Sequence, residues 1–174
     1  HGYWVAAPNL DWRRLPGRVE GVIKERIGRL SHRLYEICKV ASVMGEEFIA
    51  EAVACVLHLE ARDVVQCVGV ELDGIHHLAI GLGSQRVANH RLSHYRFRHI
   101  LFQHYLYQAI DAGERAYLHE DVGLALEQLY QGQTEEIAVH LVRHFRAAGV
   151  LHKTVEYLEV AGRRCELTLP RPLE

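Results

Sequence analysis

The hydrophobic period changes once near the middle of the chain, and no other feature constrains the fold as much. On either side of residues 78–97 the apolar positions recur every three or four residues, the spacing of an amphipathic helix. Inside that stretch, Leu78–Gly83 and Leu92–Phe97 form two short, loosely alternating runs with a polar, Gly-containing turn between them. Alternation interrupted by a turn predicts a β-hairpin. The expected fold is therefore mainly α with one small β-hairpin.

The helices can be placed around it. Pro16 stands where a helix begins, since its missing N–H costs nothing in the first turn. Val19, Val22, Ile23, Ile27 and Leu30 then give residues 17–30 one apolar face. Ser31 is a good N-cap for a second helix, with Leu34, Ile37, Cys38, Ala41 and Val43 inward and Gly45 as its C-cap. A third helix is expected over 48–58 and a fourth from Ala61 to Ile75. Upstream, residues 3–7 read as a short strand broken off by Pro8, Asn9 and Asp11.

Beyond the hairpin, Ile100, Leu101, Tyr105, Leu106 and Ile110 restore the helical period. A helix over 113–130 should turn Tyr117, Leu118, Val122, Leu126 and Leu129 inward. Two more are expected at 134–148 and 151–168, separated by Gly149. Helices, a hairpin and helix again is the order of a winged-helix domain. Antiparallel helix pairs after it suggest the start of a helical-repeat array.

Composition excludes several function classes. With 174 residues, 49% of them hydrophobic, the chain can bury a core in one domain or two small ones. A formal net charge of -2 leaves no global basic field for nucleic acid or anionic membrane. Cys38, Cys55, Cys67 and Cys165 contain no CxxC pair and sit among apolar neighbours, so they read as buried reduced thiols. No signal peptide and no spanning apolar run is present, which makes the cytoplasm the expected compartment and a membrane partner unexpected. The chain starts at His1 rather than Met, and Pro170 breaks its last helical pattern. Both features lead us to expect a piece of a longer protein.

Motifs for catalysis are missing. No GxxxxGK[ST] phosphate loop, GxSxG elbow or Ser/His/Asp arrangement is readable. Gly81-x-Gly83 is too short for a dinucleotide loop. His140 and His144 have a helical chelate spacing, but nothing completes a four-ligand metal site. His90 and His94 share that spacing in a hairpin, where it does not bring two rings together. The helix near 61–75, where a winged helix reads DNA, offers Arg62, Asp63, Gln66, Glu71 and Asp73, a mostly acidic set that repels phosphate. Arg86, Arg91, Arg96 and Arg98 make the hairpin the more cationic element.

Several segments carry a family resemblance. Leu15–Leu30 resembles the segment after the ATPase core in bacterial STAND-type ATPases (signal-transduction ATPases with numerous domains). Val40–Phe48 is similar to their second winged-helix element. Tyr95–Gln103, which contains Phe97-Arg98-His99-Ile100-Leu101, resembles their Phe-Arg-His-x-Leu signature, and Tyr107, Arg115 and His119 resemble the helix after it. Ile137, Ala138 and His140, with Ala148-Gly149, Tyr157 and Ala161-Gly162, resemble a first tetratricopeptide-like unit. Thr154 departs from that pattern, which prefers a small Ala there.

The resemblance implies a linker from an ATPase core over 1–15, a winged-helix domain over 16–112 and the start of a tetratricopeptide-like domain over 113–174. It implies that His99, with Arg98 beside it, contacts the β-phosphate of ADP and holds an inactive state closed. The other reading of His99 is a helix-start histidine satisfied by local backbone, and the sequence leaves both open. No cofactor is expected in the chain itself, with ATP or ADP bound by the parent. Such parents often carry an adenylate or guanylate cyclase domain. The expected function is a non-catalytic regulatory module that couples nucleotide state to sensor or output domains. A DNA-binding winged helix of a transcription regulator is the alternative. Expected partners are the ATPase core and the remaining repeats of the same protein, while specific DNA is not expected. The last helix should expose an apolar strip near Leu158, Cys165, Leu167 and Leu169, for docking of further repeats or for self-association.

Overall fold

The fold is that of a computed structural model, which describes residues 17–168, with side chains described over 20–163. The strand expected at 3–7, Pro16 and Leu169 lie outside the described residues. The side chains of Cys165 and Leu167 do so too.

The chain is mainly α with a small antiparallel sheet. Helix α1 (Gly17–Gly28) buries Ile23 and Ile27 and lies against α5 (Ile100–Ala109). Helix α2 (His32–Met44) is the centre of the fold. Its Ser31 hydroxyl accepts from the Leu34 N–H at 3.3 Å, satisfying one of the free donors of the first turn. Leu34, Ile37, Cys38, Val40 and Ala41 are all buried. Full burial of each large apolar side chain contributes about 1.5–3 kcal/mol.

The expected third helix begins later than the sequence pattern suggests. Glu47–Ile49 forms a short strand, β1, and only Ala50–Val56 is helical, as α3. The reason is non-local. Strand β1 pairs antiparallel with β3 (His90–Phe97), setting Phe48 opposite Tyr95. The Phe48 ring stacks on Tyr95 at 5.8 Å and meets Phe97 at 5.3 Å. Aromatic pairs of this kind stabilise a pleated surface.

Helix α4 (Ala61–Gln66) continues through a π-helical segment, Cys67–Ile75. The hairpin follows as β2 (Ala79–Val87) and β3, in a sheet ordered β1-β3-β2. Its strands are longer than the sequence runs indicate. Val87 pairs with His90 across a two-residue turn in which Ala88 has φ 49°. Residues 84–87 belong to the ladder because Val87 and Leu92 anchor it, at 5% and 0% exposure. The register slips between Gly81 and Gly83, where Gly83 takes φ 112°, a conformation that favours glycine.

Helix α6 (Ala112–Leu129) packs against α2 and α3, and its inner face is Val122, Ala125, Leu126 and Leu129. Tyr117, expected inward, is 72% exposed, and His119 is buried instead. Two residues advance a helix by about 200°, so the two side chains cannot share a face. A 3₁₀ turn (Thr134–Ile137) leads into α7 (Ala138–Ala148), which Gly149 ends in the left-handed conformation at φ 77°. Helix α8 (Leu151–Thr168) packs back on α7. Among the described residues one continuous buried cluster runs from Ile23 to Tyr157. No described helix is long and apolar enough to cross a membrane.

Candidate functional site

His99 and Arg98 meet at the mouth of a cleft of about 600 Å³ between α1 and the start of α5. Ile23 and Phe102 supply apolar wall, and Arg26, His77, Arg98 and His99 supply the nitrogen-bearing rim. The cations on that rim are held in place. Arg98 donates through Nε to the Ala79 carbonyl at 2.9 Å and pairs with Asp73 at 2.6 Å, tying the hairpin to the π-helical segment. Arg26 donates to the His76 carbonyl at 2.7 Å and lies 5.1 Å over the Phe102 ring. His77 contacts the Asp73 carbonyl through Nδ1 at 2.8 Å.

His99 is the N-cap of α5, and its Nδ1 accepts from the Leu101 N–H at 3.2 Å. That bond meets the local-backbone reading of the residue and also fixes its chemistry. A neutral imidazole whose Nδ1 accepts must carry its proton on Nε2. His99 therefore presents a donor, from an exposed ring, beside an N-terminal helix end that attracts negative charge. The local bond and a phosphate contact are compatible, because they use different nitrogens.

A second cluster of polar groups lies where α2, α5, α6 and α7 meet. Arg143 on α7 donates to the Met44 carbonyl at the end of α2, and its guanidinium also reaches His144 Nε2 at 3.3 Å. His144 and His119 contact each other through their Nδ1 atoms at 2.9 Å, and His119 Nε2 meets the Tyr107 hydroxyl at 2.9 Å. Because arginine can only donate, the direction of the chain is set. His144 accepts at Nε2, donates from Nδ1 to His119, and His119 donates from Nε2 to the Tyr107 oxygen. Arg115 lies 4.4 Å over the Tyr107 ring and donates to the Ile110 carbonyl at 2.8 Å.

This chain keeps both imidazoles neutral. Burial, then the Arg143 and Arg115 charges, bring the His119 pKa down to about 4. His144 is lowered by burial first, then by Arg143, His119 and His140. Neutral rings in a directed chain hold helices in register. They offer no free base to a substrate.

The histidine and cysteine patterns resolve differently from their sequence spacing. His144 is buried and engaged by Arg143 and His119, while His140 is exposed. No group of three or more His, Cys, Asp or Glu among the described residues is placed to hold a metal ion. Cys38 is buried and its thiol is pushed up to about 12 by burial, while Cys55 and Cys67 are half-buried rather than buried as expected. Over residues 61–75, where a winged helix reads DNA, Asp63 faces Arg33 at 3.4 Å and Asp73 holds Arg98, while Arg62 and Gln66 are exposed.

Of the strip expected near Leu158, Cys165, Leu167 and Leu169, only Leu158 has a described side chain, and it is exposed. Leu151, Val155 and Leu158 are 74%, 55% and 53% exposed at a spacing that puts them on one face. Tyr157 and Thr154 take the inward face. Tyr157 stacks on Phe145 at 5.8 Å and donates to Glu127 at 2.7 Å, and the Thr154 hydroxyl donates to the Val150 carbonyl at 2.8 Å.

The residues that sequence reasoning missed are Arg26, His77 and the His119–His144 pairing. The first two reach the cleft from α1 and from the turn before β2, and no local pattern marks them. No family model, curated protein or solved structure matches the chain.

Proposed function

We propose that this chain is a non-catalytic regulatory module of a STAND-type signalling ATPase, coupling the nucleotide state of an ATPase core to a helical stack. The observation that carries this reading is the placement of His99. Its ring stands at the N-terminus of α5, on a cleft rimmed by Arg26 and Arg98, with the proton fixed on Nε2. A donor so placed favours a diphosphate only in the domain arrangement that brings the phosphate to it, which is how a nucleotide biases a two-state element. Two further features support the reading. The order helix, strand, two helices and hairpin suits a winged helix, and α8 offers an uncovered apolar face on which another helix pair could stack. In this reading ADP or ATP binds the parent, and the chain's partners are the core and further repeats.

The test uses the protein that carries the ATPase core. The coding sequence upstream of His1 should contain a phosphate loop. His99→Ala should speed ADP release roughly ten- to a hundredfold, the equivalent of about 1.5–3 kcal/mol for one hydrogen bond to a charged group. His99→Asn restores the helix cap without the imidazole, so it should release ADP as fast as the Ala variant. Unchanged release in both folded variants overturns the proposal.

A further inference from the structure

Helix α8 has two apolar faces, and α7 covers only one of them. Thr154 and Tyr157 are buried on the packed side. Leu151, Val155 and Leu158 are exposed on another side, and Gly162 continues their line, also exposed. The steps between these four residues are four, three and four, the heptad spacing that keeps one seam of a helix facing a partner helix.

Two features of the seam call for a partner of a particular shape and charge. Gly162 sits inside the helix, where glycine is weaker than alanine. Packing within the chain does not require it, since a Cβ there would meet no atom within 4 Å. His152 and Glu159, both exposed, stand one residue after Leu151 and Leu158 and so flank the seam on the same edge, one basic and one acidic.

A second α8 laid antiparallel on the first meets both features. Val155 of each copy packs on Leu158 of the other, and Leu151 projects into the space left open at Gly162 of the other. In that register His152 lies beside Glu159 of the other copy, and a two-fold interface makes the contact twice. Sliding the pair by one heptad instead sets Glu159 against its own equivalent, where like charges repel. A parallel pair sets Gly162 on Gly162 and leaves a void.

We propose that α8 is a self-recognition surface on which a second copy of this chain binds antiparallel, through Leu151, Val155, Leu158 and Gly162, with His152 of each copy beside Glu159 of the other. Because α7 already orders the helix, pairing does not bear the ordering cost that makes short isolated helices marginal. The contact is small, which places it among weak, concentration-dependent associations. It does not depend on what the His99 cleft binds. A further helix pair stacked on the same face excludes it.

Sedimentation equilibrium of the chain over a concentration series reads the pairing, and thermal melting establishes that each variant is folded. The wild type should show a reversible monomer–dimer equilibrium. His152→Glu puts two carboxylates together at both flanks and should weaken the dimer roughly tenfold. Adding Glu159→Lys to that variant reverses both pairs and should restore wild-type association. A covering apolar patch without this register gives no such rescue. A strictly monomeric wild type, a dimer indifferent to His152→Glu, or a double variant as weak as the single one would each overturn the proposal.

Discussion

Acidification probes the buried imidazoles. His119 is 4% exposed, and burial followed by the Arg143 and Arg115 charges lowers its pKa from 6.5 to about 4. In the unfolded chain the ring takes up its proton near 6.5. Between those two values the unfolded state binds more protons than the folded one, so stability rises with pH and is lost as the pH falls. The contribution of the neutral ring is complete above 6.5 and is lost progressively as the pH drops toward 4. From about pH 7 to about pH 5 the loss from His119 alone comes to roughly 2 kcal/mol. That is a large part of the roughly 5–15 kcal/mol that holds an ordinary domain folded. His144 shifts in the same direction, and because the rings share a hydrogen bond the first proton belongs to the pair. The groups around them are Tyr107 on α5, Arg115 on α6, His140 and Arg143 on α7, with Glu46 and His104 lining the same groove. Urea unfolding of the wild type and His119→Gln at the two pH values is the assay, since glutamine can donate and accept but does not titrate. The wild type should lose about 2 kcal/mol more than the variant over that interval. Equal losses in the two proteins would refute the account of His119 as a ring kept neutral by its surroundings.

Two other outcomes follow from the packing. A Cβ on Gly123 would meet Phe145 Cε1 at 2.8 Å and Cζ at 2.9 Å, against a ring that is fully buried. Gly123→Ala should therefore destabilise by about 1–3 kcal/mol, although alanine is the better helix former by about 1 kcal/mol; an unchanged urea midpoint would count against this. The strip formed by Leu151, Val155 and Leu158 should give concentration-dependent association in sedimentation, abolished by Leu158→Asp. A strictly monomeric wild type across the concentration series would show that the strip does not self-associate.

Local signals were sufficient wherever a neighbour in sequence decides the structure. Ser31 and Gly45 bound α2 as expected because capping depends on a few adjacent residues. The hairpin was legible in its two apolar runs, but its length was not, since Ser84–Val87 are strand only through their partners on β3. Strand β1 was hidden for the same reason. Three residues are too few to show alternation, and Phe48 is held by rings on β3. On α6 Val122, Leu126 and Leu129 are buried as expected, and only Tyr117 departs: it looks more apolar than His119, yet His119 is buried because its partners come from α5 and α7. No spacing in the sequence marks the pairing of His144 with His119, which lies 25 positions away. The His99 cleft was visible only through resemblance, since its wall and rim come from three separate segments.

The bond from Arg143 to the Met44 carbonyl also bears on the order in which the chain can mature. The two residues lie 99 positions apart. At about 5–20 residues per second on the ribosome, the end of α2 waits roughly 5–20 seconds for its arginine. Until then water must hold that carbonyl, and a helix end held by water frays. The sheet is complete in sequence by Phe97, yet the residue that closes α2 is made much later. The first half of the chain is thus a scaffold finished by the second, and a nascent chain released before Arg143 would carry a loosened α2 at the centre of its core.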